Sequence, residues 1–298
     1  MASGRWIFVF ASVGIGVSCA SFGSTDDRPS GGAGAGSDAA PECGAGCAPD
    51  AATAETEAGA GAGCPSDAGP AMVQVSGFCI DRTEVTVGQY AAFLQAMSEL
   101  PNGGIVEQPP ECAWNTTFKP PYWWPATPDE EKAGKSKAEI DRMPVSVVDW
   151  CDARAFCAWA GKRLCGRVGG GVLTANEGTT TASEWFVACS HNGLHAFPYG
   201  DDFVGGACNG EGSPGREPVG SRPACTGGYD GLLDMSGNLE EWIDACDVGE
   251  DGGATCVLSG GVYSFPKGSL RCDGAEHKVR SEAFPQAGFR CCATPAGP

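Results

Sequence analysis

Apolar side chains along this chain recur at two spacings, and the changes from one spacing to the other predict its elements. Val87, Tyr90, Phe93, Leu94 and Met97 fall three and four apart, which puts them on one face of a helix. Thr86 and Gln89 just ahead form a capping-box pattern, in which hydroxyl and amide each satisfy a backbone donor. A second helix is predicted from Asp149, a good N-cap, with Trp150, Ala153, Phe156, Cys157 and Ala160 inward. Gly161 stops it, and Lys162 and Arg163 follow at the negative end of its dipole. A third, shorter helix is predicted after Thr181-Ala182-Ser183-Glu184, again a capping-box pattern, with Trp185, Ala188 and Cys189 buried. Short apolar runs at 72–75, 78–80, 256–258 and 289–292 read as strands between glycine-rich loops. So much loop in one domain calls for covalent cross-links.

This patterning starts at about residue 71. Residues 20–70 are Gly, Ala, Ser, Asp and Pro, with almost no large apolar side chain. Such a segment buries too little surface to offset its ordering entropy, and it reads as a disordered, acidic tether. Cys43, Cys47 and Cys64 lie in it, either paired locally or reaching the domain. Ahead of it, Arg5 and the apolar stretch 6–17, too short to span a bilayer, have the form of a signal peptide over 1–19. Gly16-Val17-Ser18-Cys19 is similar to a bacterial lipobox, in which Cys19 takes the lipid; the other reading is an ordinary signal peptide cut near Ser18 or Ala20. The expectation is an exported cell-envelope lipoprotein of the periplasm or outer membrane, or a secreted protein.

Composition agrees with export. The 17 cysteines among 298 residues suit an oxidising compartment, where disulfides persist. The formal charge of -18 excludes nucleic acid as a partner, since phosphate binding needs a basic face. It also excludes a basic patch for anionic lipid, so membrane contact is expected through the lipid anchor.

Eight segments occur in an order that carries a resemblance. They include Gly77-Phe78-Cys79-Ile80-Asp81-Arg82-Thr83-Glu84-Val85-Thr86, Pro144-Val145-Ser146-Val147-Val148-Asp149-Trp150 and Cys157-Ala158-Trp159-Ala160-Gly161-Lys162-Arg163-Leu164. Then come Ala182-Ser183-Glu184-Trp185, Phe197-Pro198-Tyr199-Gly200-Asp201, the block Gly231 to Trp242, Gly260-Gly261 and Gly288-Phe289-Arg290-Cys291. In this order, over 71–298, the chain resembles the sulfatase-modifying factor, or formylglycine-generating enzyme, family. The resemblance implies an α+β, C-type-lectin-like domain that is loop-rich and disulfide-stapled. Active members of that family oxidise a sulfatase cysteine to formylglycine. They use copper(I) held by two thiolates in a Gly-Gly-Ser-Tyr/Phe-x-Cys-x4-Cys motif, soft ligands for a soft metal.

Here the corresponding stretch is Gly260-Gly261-Val262-Tyr263-Ser264-Phe265-Pro266-Lys267-Gly268-Ser269-Leu270. Phe265 and Leu270 stand where the thiolates belong, and neither side chain binds a metal. Cys272 is the one thiol nearby, and one thiol does not make a two-thiolate site. The sequence thus argues against copper and against the family's oxidase activity. The related sulfoxide synthases need a histidine-rich partner domain. Here Asn192-Gly193 breaks the stretch between His191 and His195, which read as exposed loop residues.

The resemblance implies further features. The family's calcium ligands fall on Asp234, on the carbonyls of Gly237 and Leu239, and on Glu241, oxygen donors that suit a hard cation. A second calcium site falls on Asn209 and the carbonyl of Gly210. Both ions would be structural. Family disulfides fall on Cys157 with Cys291 and on Cys189 with Cys272; Cys246 with Cys256 and Cys208 with Cys225 are paired by proximity alone. Two functions stay open at this point. One is a non-enzymatic cell-envelope binding or structural module for a protein or glycan ligand, with Trp114, Tyr122, Trp123 and Trp124 as a candidate platform. The other is a formylglycine-generating-type oxidoreductase acting on a protein cysteine or an altered substrate.

Overall fold

The computed structural model describes residues 63–100, 108–122, 124–249 and 253–296. The leader with Cys19, the tether to residue 62 with Cys43 and Cys47, and Trp123 lie outside them. The chain runs through β1 (Met72–Val75), β2 (Phe78–Asp81), α1 (Val87–Ser98), α2 (Pro128–Lys132), α3 (Lys137–Asp141) and α4 (Trp150–Trp159). It continues through β3 (Arg163–Leu164), α5 (Glu184–Ser190), β4 (Glu240–Val248), β5 (Ala254–Ser259), β6 (Ala275–Val279), β7 (Ala287–Phe289) and β8 (Cys291–Ala293). The fold is mixed α and β, as the resemblance implies.

Two four-stranded sheets form the frame, ordered β1-β2-β8-β3 and β6-β5-β4-β7. All neighbours are antiparallel except β4 and β7, which pair Glu240–Trp242 with Ala287–Phe289 in parallel. The expected strand at 289–292 therefore divides. Phe289 ends one sheet and Cys291 begins a strand of the other, with Arg290 at the crossing. β4 was not foreseen, because its first acidic residues fall in or beside the expected calcium loop; in the fold Glu240 and Glu241 are buried strand residues.

α1 has the expected cap: Gln89 N donates to Thr86 Oγ1, and Thr86 N to Gln89 Oε1. Its Tyr90 stacks on Phe156 of α4 at 5.8 Å, and Phe93 meets the same ring edge-on at 5.6 Å. α4 is capped by Asp149 and stops at Gly161, whose φ of 70° suits glycine. α5 differs from expectation. Its N-cap is Ser183, and Glu184 does not reach back in a box. The Glu184 carboxylate instead forms a forked ion pair with Arg163 and accepts from Gly166 N, a charged partner that outcompetes the local backbone.

Seven disulfides staple the described residues, at 64–79, 112–151, 157–291, 165–292, 189–272, 208–225 and 246–256. Cys64, assigned by composition to the tether, thus belongs to the domain, and Ala296 N donates to Gly63 O beside it. Three of the bridges close loops of 83, 127 and 134 residues, the class for which loop-closure entropy predicts about 3–5 kcal/mol each.

Candidate functional site

The segment 260–272 leaves β5 through two glycines in the left-handed region, with φ of 95° and 68°. A Cβ on Gly260 would lie 3.1 Å from the Trp185 ring, and one on Gly261 2.5 Å from Ser269 O, so the turn is built on close approach. Leu270 is fully buried against Gly210 and Gly261, and its carbonyl accepts from Ser236 Oγ at 2.6 Å. Phe265 is half-buried. With Tyr199, Phe203, Arg222 and Ser236, Leu270 lines a cleft of about 310 Å³.

A copper pair does not fit this donor set. Phe265 and Leu270, where the resemblance would put the thiolates, are hydrocarbon, and Cys272 is bonded to Cys189. Every cysteine among the described residues is in a disulfide, so those residues offer no thiolate. No group of three or more His, Cys, Asp or Glu among them is arranged to hold a metal.

The loop from Asp234 to Glu241 sits beside this segment. Gly237 N donates to Gly260 O, and a Cβ at Gly237 would lie 2.1 Å from Asn209 O, so only glycine fits. Asp234 has φ of 57°; its Oδ2 accepts from Gly220 N at 2.6 Å, and burial pushes its carboxyl up to about 6. Leu239 is buried. Glu241 is committed elsewhere: Arg290 Nε and Nη2 donate to its two oxygens at 2.7 Å each, and Trp185 Nε1 donates to Oε2 at 2.8 Å. The guanidinium thus occupies Glu241, and the ligand set Asp234, Gly237, Leu239 and Glu241 does not fit calcium as a whole.

The second calcium position fits better. Asn209 is buried, its Nδ2 donates to Gly215 O and Asn238 Oδ1, and its Oδ1 has no partner. An orphaned buried oxygen next to the Gly210 carbonyl is a suitable hard donor. Gly210 O accepts from Ser213 N, which leaves one lone pair.

Residues that sequence reasoning gave no role hold the region together. Asn238, with φ of 61°, accepts from Asn209 Nδ2 and Glu217 N and donates to Glu217 O. Arg290, fully buried, also donates to Asp81 O and Asp234 O. Glu84 is buried with both carboxylate oxygens unpartnered, and burial, then Asp234 and Glu241, push its carboxyl well up. The signal for Arg290 was present in Phe289-Arg290-Cys291-Cys292: a cation inside an apolar run requires a buried counter-charge.

His191 caps α5 in the left-handed region and stacks on Tyr229 at 5.1 Å. The aromatic insertion divides. Trp124 packs edge-on against Tyr90 at 5.8 Å, whereas Trp114 and Tyr122, each 42% exposed, line a groove at the start of α4.

Comparison with known proteins agrees with this architecture. The family described as sulfatase-modifying factor enzyme 1-like domain matches residues 51–295. The formylglycine-generating enzyme of Thermomonospora curvata is 30% identical over 207 residues, 57% of this chain and 60% of that protein. The chain therefore spans about three fifths of that relative's length. The inactive C-alpha-formylglycine-generating enzyme 2 of Mus musculus is 27% identical over 208 residues, 59% of each chain. Among solved structures, CarF matches 74% of this chain and 87% of its own, with a TM-score of 0.48 and 23% identity.

Proposed function

The chain belongs to the sulfatase-modifying factor family, and from that membership we propose that it serves as a cell-envelope binding or structural module and not as a cysteine oxidase. One observation carries the reading. Phe265 and Leu270 occupy the two thiolate positions, and the neighbouring Cys272 is locked to Cys189. Reopening that disulfide would free thiols at the wrong positions for a Cys-x4-Cys pair. Relatives named as inactive exist in the same family.

The other parts of the reading rest on sequence chemistry. Export and a lipid on Cys19 follow from the leader pattern. The seven disulfides of the domain suit the oxidising compartment that export reaches. No helix among the described residues is long and apolar enough to cross a membrane. A structural calcium would be held by Asn209 Oδ1 and the Gly210 carbonyl, supplying a charge that orders the surrounding loops. No chemistry is routed through it.

The test uses the full chain with copper(I), oxygen and a cysteine-containing sulfatase peptide, read by metal uptake and by peptide mass. No uptake and no change of peptide mass is the expected result. Conversion of the cysteine to formylglycine would overturn the reading. Mass analysis of the membrane-bound protein for a diacylglyceryl group on Cys19 tests the anchor.

A further inference from the structure

We propose that the apolar pocket between α1 and α4 binds a single-chain acyl carboxylate, its tail against Met97, Ala155, Ala158 and Trp159 and its carboxylate on the Arg154 guanidinium. The proposal deepens the reading of the domain as a binding module and rests on it.

The pocket encloses about 540 Å³. Cys151, Arg154, Ala155 and Ala158 fall three and four apart and share one face of α4. Met97 in the last turn of α1 and the stretch 108–112 complete the lining. These walls are fixed. The Cys112–Cys151 disulfide ties 108–112 to α4, and the Trp159 ring packs on Phe93 at 5.6 Å and on Phe156 at 5.5 Å. A preformed apolar wall takes a tail with little ordering cost.

Charge selects the head group. Arg154 is the one charged residue of the lining. Among the described residues no carboxylate forms an ion pair with it and no group hydrogen-bonds to it. Its contact is the Trp150 ring, whose centre lies 6.0 Å from Arg154 Cζ. Asp244 is the acid that feels its charge: burial pushes that carboxyl up to about 6, while Arg154 and Arg163 pull it back. Glu111 also faces Asp244 and lies outside the lining. The lining itself therefore carries a single positive charge, which favours an anion over an amine. A guanidinium takes a planar carboxylate through two parallel N–H donors.

Polarity selects the tail. Gln108, the other polar side chain of the lining, donates to Asn115 O. A peptide would bring backbone donors and acceptors to a surface that offers them few partners, at a cost in desolvation. An alkyl chain brings none.

The test titrates the full chain with octanoate, octylamine and 1-octanol, following tryptophan fluorescence and heat. Saturable binding of octanoate is expected, in preference to the amine and the alcohol. Arg154→Met keeps an apolar stem and should weaken octanoate by about ten-fold or more, the loss of a charge-assisted pair. Ala158→Trp adds a large ring at an exposed position of α4 and should block the pocket; it carries the test if Arg154→Met does not fold. Absence of octanoate binding, equal binding of octylamine, or unchanged affinity in Arg154→Met would overturn the proposal. Residues 101–107 lead into Gln108 and lie outside the described residues. Binding gained only in a chain carrying Ile105→Ser and Val106→Ser would assign the pocket to that segment and overturn the proposal as well. If octanoate fails to bind while the oxidase assay stays negative, the pocket proposal alone falls. Formylglycine formation removes the binding-module reading whatever octanoate does.

Discussion

Around Arg290, three carboxylates are buried with one resident cation; at the start of α4, two are buried with none. In the first region Glu241 takes both prongs of the guanidinium, Asp234 lies close by and Glu84 is sealed without partners. In the second, Asp149 and Asp152 cap each other's backbone and border an open groove. The contrast separates two uses of a buried acid. One fixes the crossing between sheets and is closed to ligands. The other is stabilised by backbone donors and by Asn115, with no cation in attendance.

The strongest way to break the comparison is to remove the resident cation. Arg290→Met should cost about 3–5 kcal/mol, because it leaves Glu241 buried and unpaired. The double change Arg290→Met with Glu241→Met should recover most of that loss, and urea unfolding measures both. A cost below about 1 kcal/mol for the single change would show that this pair is not what holds the crossing.

A pH series sharpens the other side. Burial, and then the charge of Asp149, push Asp152 up to about 8 from its ordinary value of 3.8. A raised carboxyl binds its proton more tightly in the folded state. Its contribution is therefore full below about pH 4 and is lost as pH rises through about 8. Thermal melts of the native chain should fall over that window relative to Asp152→Asn. Parallel profiles for the two proteins would mean that the pair ionises freely.

The smallest effect is expected at Glu84. Burial, then Asp234 and Glu241, hold its carboxyl well above the usual range, and neither oxygen has a partner to lose, so Glu84→Gln should change stability by less than about 1 kcal/mol. Glu241→Gln should cost clearly more, because it unpairs Arg290. Equal losses from the two would erase the distinction between a paired and an unpartnered acid.

Much of this frame was legible in the chain. Helical spacing and caps placed α1 and α4, and the ordered motifs placed the family and its fold. The expectation that Phe265 and Leu270 stand in place of thiolates came from the sequence alone. What was hidden depended on distant partners. The start of β4 read as part of a calcium loop, because nothing local says that Glu241 meets an arginine 49 residues on. The expected calcium ligand at Glu241 carried the same blind spot. The strand at 289–292 read as continuous, because an apolar run does not show that its hydrogen bonds go to two sheets. Asn238 was invisible for a simpler reason: its left-handed backbone and its three hydrogen bonds depend on Asn209 and Glu217 being brought to it.

The short strand β8 lies between β2 and β3, so the first sheet has at its middle the strand that comes last in the sequence. Ile80 pairs with Cys292 across more than two hundred residues. Such pairing gives a high contact order, and the loop-closure cost falls due before most of the reward. Until β8 arrives, β1–β2 is a lone hairpin with an open edge, and Cys157 and Cys165 lack their final partners. A chain shortened before Cys291 would therefore lose the middle strand of the first sheet and the partners of Cys157 and Cys165 in one cut.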